Sequence, residues 1–336
     1  MEALLGCCCG IDLHKESIAA CILKGAAEDA PEVMMRGFGT QYDDLMSLAA
    51  WLCKNDCAYV AMESTGSYWT PIYNRLTELG AKCIVVNAHR IKHVPGRKTD
   101  WNDAQWIAHL FRHGLLPASF VPEREQQILR SHTRTLESLT QDRTREKNRI
   151  EKLLQSEGFK LSSVLEDNFS VTGRHLLDAL ASTGKVTVRD VELHRSQNCK
   201  KSSQEIAAAM QGALAPPLCK LLGFKLKQID EYNRQIAELE QMIEELLSPY
   251  EAAIQVIDSI PGIARHAAID IVAEIGANMD TFKSAEQLAS WAGLSPRNAL
   301  SAGKKSPPES CRATVISSGL STNAPGAVPE HETRPD

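Results

Sequence analysis

"LLGCCCGIDLH", Leu4 to His14, is a short apolar run that delivers an aspartate, Asp12, at its far end. Its length and its bounding polar residues read as a buried β-strand. "SIAACILKG" (Ser17–Gly25) and "EVMMRGFG" (Glu32–Gly39) have the same character and follow after short connections, so the three form an antiparallel meander. "YDDLMSLAAWLCKN" (Tyr42–Asn55) has helical spacing, and "AYVAMES" (Ala58–Ser64) is again a strand, ending on Glu63. "YWTPIYNRLTELG" (Tyr68–Gly80) reads as a helix stopped by glycine, and "KCIVVNA" (Lys82–Ala88) as a further strand.

Three strands followed by helix, strand, helix and strand is the order of an RNase H-like (RuvC-like) α/β fold. It is not the strict βαβ alternation of a dinucleotide-binding domain. The expected N-terminal domain spans residues 5–120. From 121 to 249 the pattern is helical, with a charged helix over Glu123–Gln155 (apolar at Leu136, Leu139, Ile150 and Leu153) and a second over Lys225–Leu247. In the second helix Ile229, Tyr232, Ile236, Leu239, Ile243 and Leu246 recur at threes and fours, which predicts an antiparallel coiled-coil pair or a dimer seam. Between the two helices, about 156–218, the sequence reads as polar and broken by Gly173, Gly184, Pro216 and Pro217. Residues 250–306 form a small, mostly α C-terminal domain, and 307–336, with five prolines and no periodicity, a disordered tail.

The chain has 336 residues, 43% hydrophobic and 24% charged, enough for two domains with ordinary cores. A net charge of -5 excludes a chain that is basic all over, but a local basic surface suffices to bind nucleic acid. No apolar run reaches the roughly 20 residues of a membrane span, and no signal peptide opens the chain. Ten cysteines, three of them consecutive in a strand, favour free thiols in a reducing cytoplasm. Cys53 and Cys57 lack a second ligand pair for zinc.

The carboxylates carry the chemistry. In "KTDWNDAQWIAHLF" (Lys98–Phe111), Asp100 and Asp103 open a helix, and Asp103 shares a stripe with Ile107 and Leu110. Taken alone, the pair reads as an N-cap and a first-turn charge. In an RNase H-like sheet, however, a mid-sheet aspartate, a strand-end glutamate and a helix pair converge. Four carboxylates would then require divalent metal, and two hard ions about 4 Å apart would activate a nucleophile at a phosphodiester.

"GIDLHK", "MESTGSYW", "KTDWNDAQWIAHL", "IPGI" and "FKSAEQLASWAGLSPRN…SAGKKS" together resemble the DEDD transposases of the IS110 (IS110/IS116/IS902-like) family, recombinases guided by a bridge RNA. The resemblance covers about residues 8–306. It implies Asp12, Glu63, Asp100 and Asp103 as catalytic metal ligands for Mg²⁺ or Mn²⁺, and Ser301, within "SAGKK", as the nucleophile that forms a 5′-phosphoserine bond. Ser295 and Ser306 are the nearby competitors. Lys304 and Lys305 flank the serine turn. "IPGI" resembles a helix-hairpin-helix in which Gly262 lets backbone N–H groups reach a phosphate, although Ala264 stands where a second glycine is usual.

The same resemblance implies donor and target DNA, guide RNA and a dimer or tetramer as partners. It implies a bacterial cytoplasmic protein at work on the nucleoid, with no membrane. Arg143, Arg145, Lys147 and Arg149 would face phosphates; the alternative is a solvated face of i,i+4 ion pairs. Beyond Ser306 the family continues with a basic turn and an apolar helix, where this chain has "RATVISSGLSTNAPG". Codons for "RATVIS" read two bases later can spell "GNRYIK", so a frameshift near Lys305–Glu309 is expected, with strand exchange impaired. Two other functions stay open: a structure-selective endonuclease like a Holliday-junction resolvase, using the carboxylates alone, and an inactive nucleic-acid-binding remnant.

Overall fold

The computed structural model describes residues 3–64, 66–87, 103–197, 199–282 and 284–292, together with the backbone of 300–301 and 304–305. Asp100 and the expected out-of-frame tail lie outside the described residues. The chain divides into two compact units, Met1–Arg124 and Glu125–Asp336.

The first unit is built on five strands: β1 (Cys7–Leu13), β2 (Ile18–Lys24), β3 (Glu32–Phe38), β4 (Tyr59–Glu63) and β5 (Lys82–Val86). Their order is β3-β2-β1-β4-β5. β1 pairs antiparallel with β2, and β2 with β3, whereas β1–β4 and β4–β5 are parallel. The turn between β1 and β2 is tight enough for His14 N–H to donate to the Ser17 carbonyl at 2.9 Å, which makes that pair antiparallel. The parallel pairs each require a crossover, supplied by α1 (Tyr42–Lys54) and α2 (Trp69–Glu78). This mixed sheet is consistent with the RNase H-like expectation.

Alternation divides each strand between two faces. Cys9, Ile11 and Leu13 of β1, with Val60 and Met62 of β4, pack against Leu45, Leu48 and Leu52 of α1 and Ile72 and Leu76 of α2. Cys8 of β1, with Cys21 and Leu23 of β2, meets Ala104 and Ala108 of α3 (Asp103–Arg112) on the other face. Ala61 and Val86 meet Trp106, Ile107 and Leu110 of the same helix. The cysteines of the described residues are free thiols. Burial, and then the neighbouring Cys7, pushes the Cys8 thiol up to about 12, and burial raises Cys21 to about 11.

The second unit contains two long helices, α4 (Arg124–Ser156) and α8 (Pro216–Leu246). α8 begins nine residues before the expected Lys225 because Pro216 and Pro217 occupy its first turn, where a missing N–H is harmless, rather than breaking it. Leu129 shares a core with Ile243 and Leu247, and Ile150 and Leu154 share one with Leu222 and Leu226, so the helices run antiparallel.

The polar, broken segment expected between them is instead helical, with α5 (Val171–Thr183), α6 (Val188–His194) and α7 (Ser203–Ala209). Leu176, Leu177, Leu180, Val191, Ile206 and Met210 join the core of the two long helices. Two of these helices last only seven residues, too few for a clear apolar period. Gly173 does not break α5: its N–H donates to the Ser170 cap, and an added Cβ would lie 2.2 Å from the Asn168 carbonyl oxygen. Gly184 is the left-handed cap that ends it.

After α8 come α9 (Glu251–Asp258), α10 (Arg265–Ile275) and α11 (Ala285–Trp291). Their core includes Ile254, Ala268 and Val272 and is continuous with Leu129 and Ile243, so packing does not break at residue 250. On α10, Glu274 is fully buried. Its carboxylate accepts two hydrogen bonds from Arg134 of α4, at 2.7 and 2.9 Å, with Arg130 3.4 Å away. Glu274→Gln should destabilise the second unit by about 3–5 kcal/mol, because two arginines lose their buried counter-charge; urea unfolding at neutral pH measures it.

Asp270, one turn earlier, is pushed up to about 6, first by burial and then by the Glu137 carboxylate, with His266 opposing. Its folded form therefore takes up a proton before its unfolded form does. Stability gained through this group should rise as pH falls from about 7 towards 4, the reverse of an ion-paired carboxylate. Asp270→Asn should stabilise the unit on the order of 1–2 kcal/mol at pH 8. The difference from the parent should shrink below pH 5, as thermal melts across that range would show.

Candidate nucleic-acid cleavage site

The position of α3 over the sheet is dictated by a glycine. A Cβ on Gly10 would lie 2.2 Å from the Ala104 carbonyl oxygen and 2.3 Å from the Ala108 amide nitrogen. Only a residue without a side chain allows the helix backbone to rest directly on β1. Cys8 lies under Ala108, its Sγ 3.5 Å from that carbonyl oxygen. Moving from Cys8 to Gly10 along β1 thus means moving from Ala108 towards Ala104 along α3, and the helix N-terminus is directed towards Asp12.

Alternation puts Asp12 on the same face as Cys8 and Gly10, and Glu63 on the same face as Ala61, the face that α3 covers. Gly10 is paired with Ala61 across the parallel β1–β4 ladder. Two residues further along, Asp12 and Glu63 stand side by side at the C-terminal ends of adjacent strands. Asp103 is the first residue of α3. The structure therefore brings Asp12, Glu63 and Asp103 to one end of one sheet face, and Asp100 lies outside the described residues.

Two details differ from the sequence expectation. Asp103 is exposed while Ile107 and Leu110 are buried, so it stands at the rim of the packed stripe rather than within it. Among the described residues, no three His, Cys, Asp or Glu side chains close into a metal-binding group. The donors that share this face are carboxylate oxygens, the ligand type that hard divalent cations take. His14, just past the end of β1, puts Nε2 3.3 Å from Asp12 Oδ2. Sequence reasoning did not select it, although an Asp-x-His spacing at the end of a strand is the signal that could have.

Ser301 is in a two-strand hairpin, β6 (Leu300–Ser301) with β7 (Lys304–Lys305), where it pairs directly with Lys304. Its backbone is strand rather than the expected turn; Ala302 and Gly303 lie outside the described residues. Gly262 has φ 93°, a left-handed value suited to glycine, in the turn between α9 and α10, with open space around a would-be Cβ. The first turn of α10 has no side-chain cap at Ala264. Arg265 there is held by Glu251, at 2.8 and 3.0 Å, and by Glu244 at 3.0 Å.

The four cations predicted on α4 are all engaged within the unit. Arg143 donates to Asn233 of α8 at 3.0 Å, and Arg145 pairs with Asp142. Arg149 donates to Glu146 at 2.7 Å, and Lys147 Nζ lies 4.9 Å from the centre of the Phe169 ring. Glu146 is buried and also accepts from Lys225 of α8 at 2.7 Å. Burial pushes its carboxyl up, but the hydrogen bonds from Lys225 and Arg149 outweigh this and hold it below the ordinary range. Arg145 and Arg149 remain exposed to solvent.

Residues 9–158 match a DEDD-type IS110 family model described as a transposase, and residues 254–314 match the model of the "Transposase IS116/IS110/IS902 family". The chain is 26% identical over 249 residues to a "Probable family 20 transposase" of Pseudomonas aeruginosa, covering 73% of this chain and 63% of that protein. It is 24% identical over 246 residues to an "Insertion element IS900 uncharacterized 42 kDa protein" of Mycobacterium paratuberculosis, covering 63% and 60%. It thus spans somewhat under two thirds of the length of these relatives. Among the described residues no helix is long and apolar enough to cross a membrane. The two family matches together span well over half of the sequence, and the chain belongs to the IS116/IS110/IS902 family of transposases.

Proposed function

We propose that the protein cleaves and rejoins DNA strands during transposition, with the Asp12–Glu63–Asp103 edge and Ser301 as its two reactive elements. The observation that carries this reading is the Gly10–Ala61 and Ile11–Met62 register, which leads Asp12 and Glu63 to the same end of paired strands, with Asp103 opening the helix that rests on them. Asp12, Glu63 and Asp103, together with Asp100, would hold Mg²⁺ or Mn²⁺, which supplies positive charge against a phosphodiester. His14, with Nε2 3.3 Å from Asp12 Oδ2, would help to orient the Asp12 carboxylate.

In the strand-transfer step, Ser301 Oγ bonds to phosphorus and the bond to the 3′ oxygen breaks. The serine hydroxyl loses its proton as the departing 3′ oxygen gains one, and the 5′ phosphate stays on the serine. Gly262 and the uncapped first turn of α10 would seat a DNA phosphate. Lys304 and Lys305 flank the nucleophile in sequence, and the exposed Arg145 and Arg149 offer charge to guide RNA. Assembly into a dimer or tetramer, with the carboxylates and the serine of one site coming from different subunits, completes the reading.

The test is cleavage of donor and target DNA in the presence of guide RNA and Mg²⁺. It compares this chain with a version whose codons after Lys305 are read in the family's frame. Cleavage by the restored version, with a covalent protein–DNA adduct abolished by Ser301→Ala, supports the reading. Cutting of four-way junctions without RNA, unaffected by Ser301→Ala, replaces it with a resolvase. Nucleic-acid binding with no cleavage at any Mg²⁺ concentration makes the chain a remnant.

A further inference from the structure

The second unit holds a cleft of about 450 Å³ between α4, α8 and the start of α5, lined by Lys147, Phe169, Arg174, Asp230 and Asn233 among others. This is within the size range of sites for small organic ligands. Phe169 packs against the core of the unit, and on its outer side Lys147 Nζ lies over the ring at 4.9 Å. A lysine on a flexible four-carbon stem is a displaceable cover. Beside it Arg174 is fixed by Asp230, with Nη2 2.7 Å from Oδ2, and by Asp178 at 3.0 Å, so its charge is already met within the unit. Lys147 is joined there by Arg143, whose guanidinium donates to Asn233 Oδ1 at 3.0 Å. With its oxygen so occupied, the Asn233 amide presents its N–H₂ as a donor.

We propose that this cleft takes one unpaired nucleotide of a nucleic-acid strand. The base enters against Phe169 in the space that the Lys147 ammonium covers, with its edge at Asn233. Lys147 swings out to join Arg143 on the adjoining phosphate. An aromatic face, an amide and two neighbouring cations fit a planar neutral group with a trailing anion, which is what an unstacked nucleotide presents. A base-paired nucleotide keeps its face stacked in the duplex and cannot enter. The inference rests on the nucleic-acid reading proposed above, but it does not require the carboxylates or Ser301.

The experiment measures equilibrium binding of short fluorescein-labelled oligouridylate and oligothymidylate to the full chain in EDTA, where no cleavage can occur. Phe169→Leu keeps an apolar side chain against the core and removes the ring. It should weaken single-strand binding about tenfold, close to one stacking contact by the 1.4 kcal/mol-per-decade conversion. Phe169→Trp should bind at least as tightly as the parent. Lys147→Ala and Arg143→Ala should each lower the slope of affinity against salt, which Phe169→Leu should leave unchanged. Comparing the two oligonucleotides tells whether RNA or DNA is the preferred strand. The proposal is overturned if Phe169→Leu, folded by circular dichroism, binds single strands as the parent does. It is overturned equally if duplex binding falls by the same factor, or if a polyglutamate peptide displaces the oligonucleotide through the same residues. Loss of Mg²⁺-dependent cleavage elsewhere in the protein does not move this readout.

Discussion

Gly10→Ala should unfold or severely loosen the first unit, although it adds a single methyl group. The added Cβ would meet the backbone of Ala104 and Ala108 at 2.2–2.3 Å. Neither atom is the end of a flexible side chain, so the whole of α3 must lift from the sheet. Lifting it would open the contacts of Ile107, Leu110, Ala104 and Ala108, all nearly or fully inaccessible to solvent. Overpacking that shifts backbone costs about 1–3 kcal/mol and sometimes more. Exposing several apolar side chains adds further loss at roughly 25 cal/mol per Å². We expect a destabilisation of at least about 4 kcal/mol, close to the whole stability of a small domain. Thermal melting and limited proteolysis should show the first unit opening while the second, with its own core, keeps its cooperative transition. Gly37→Ala serves as the control, since its Cβ would meet nothing closer than 4.0 Å. If Gly10→Ala melts within a degree or two of the parent, the direct contact between α3 and β1 is not as described.

Asp12→Ala and Asp103→Ala should leave the fold intact and remove strand cleavage. Asp12 is only partly buried, Asp103 is exposed, and neither contributes an apolar side chain to the core, so each should change stability by about 1 kcal/mol or less. Charge stabilisation by a bound metal in the transition state is worth several kcal/mol, and each 1.36 kcal/mol is a factor of ten in rate. Either change should therefore slow cleavage by about a thousandfold or more in a single-turnover assay with excess Mg²⁺. His14→Ala, which frees the Asp12 carboxylate without deleting it, should cost about tenfold. Cleavage that survives both aspartate substitutions would remove the carboxylate edge from the mechanism.

The strand order was legible because its signal is local. β1, β2, β4 and β5 are apolar segments bounded by turn residues, and the placement of Asp12 and Glu63 near strand ends follows from counting along them. The support of the site was not legible. Gly10 reads like any glycine in a strand until a helix nearly a hundred residues later is laid on it. The partners of Glu274 are likewise some 140 residues upstream on α4. Sequence periodicity could predict two long helices, but it could not show that Glu146 is buried between Arg149 and Lys225, since a charged residue in a charged helix looks solvated. The short helices α6 and α7 were missed because a seven-residue helix contains barely two turns. Arg143 and Lys147 were selected for their charge alone; that one meets an amide and the other a ring depends on α8 and on the loop before α5.

The packing of three adjacent thiols inside β1 makes the first unit a reporter of its own opening kinetics. Alkylating reagents attack the thiolate, and only where they can reach it. Cys8, Cys9 and Cys21 are inaccessible in the folded state, and Cys8 and Cys21 also have thiols raised to about 12 and 11. Cys53, exposed near the end of α1, reacts at once and sets the intrinsic rate. The interval between the labelling of Cys53 and that of Cys8 then times the transient exposure of the strand that carries Asp12. Cys219, buried in the second unit, times that unit independently in the same sample. A single mass spectrum read over time thus separates two local opening rates without any engineered probe.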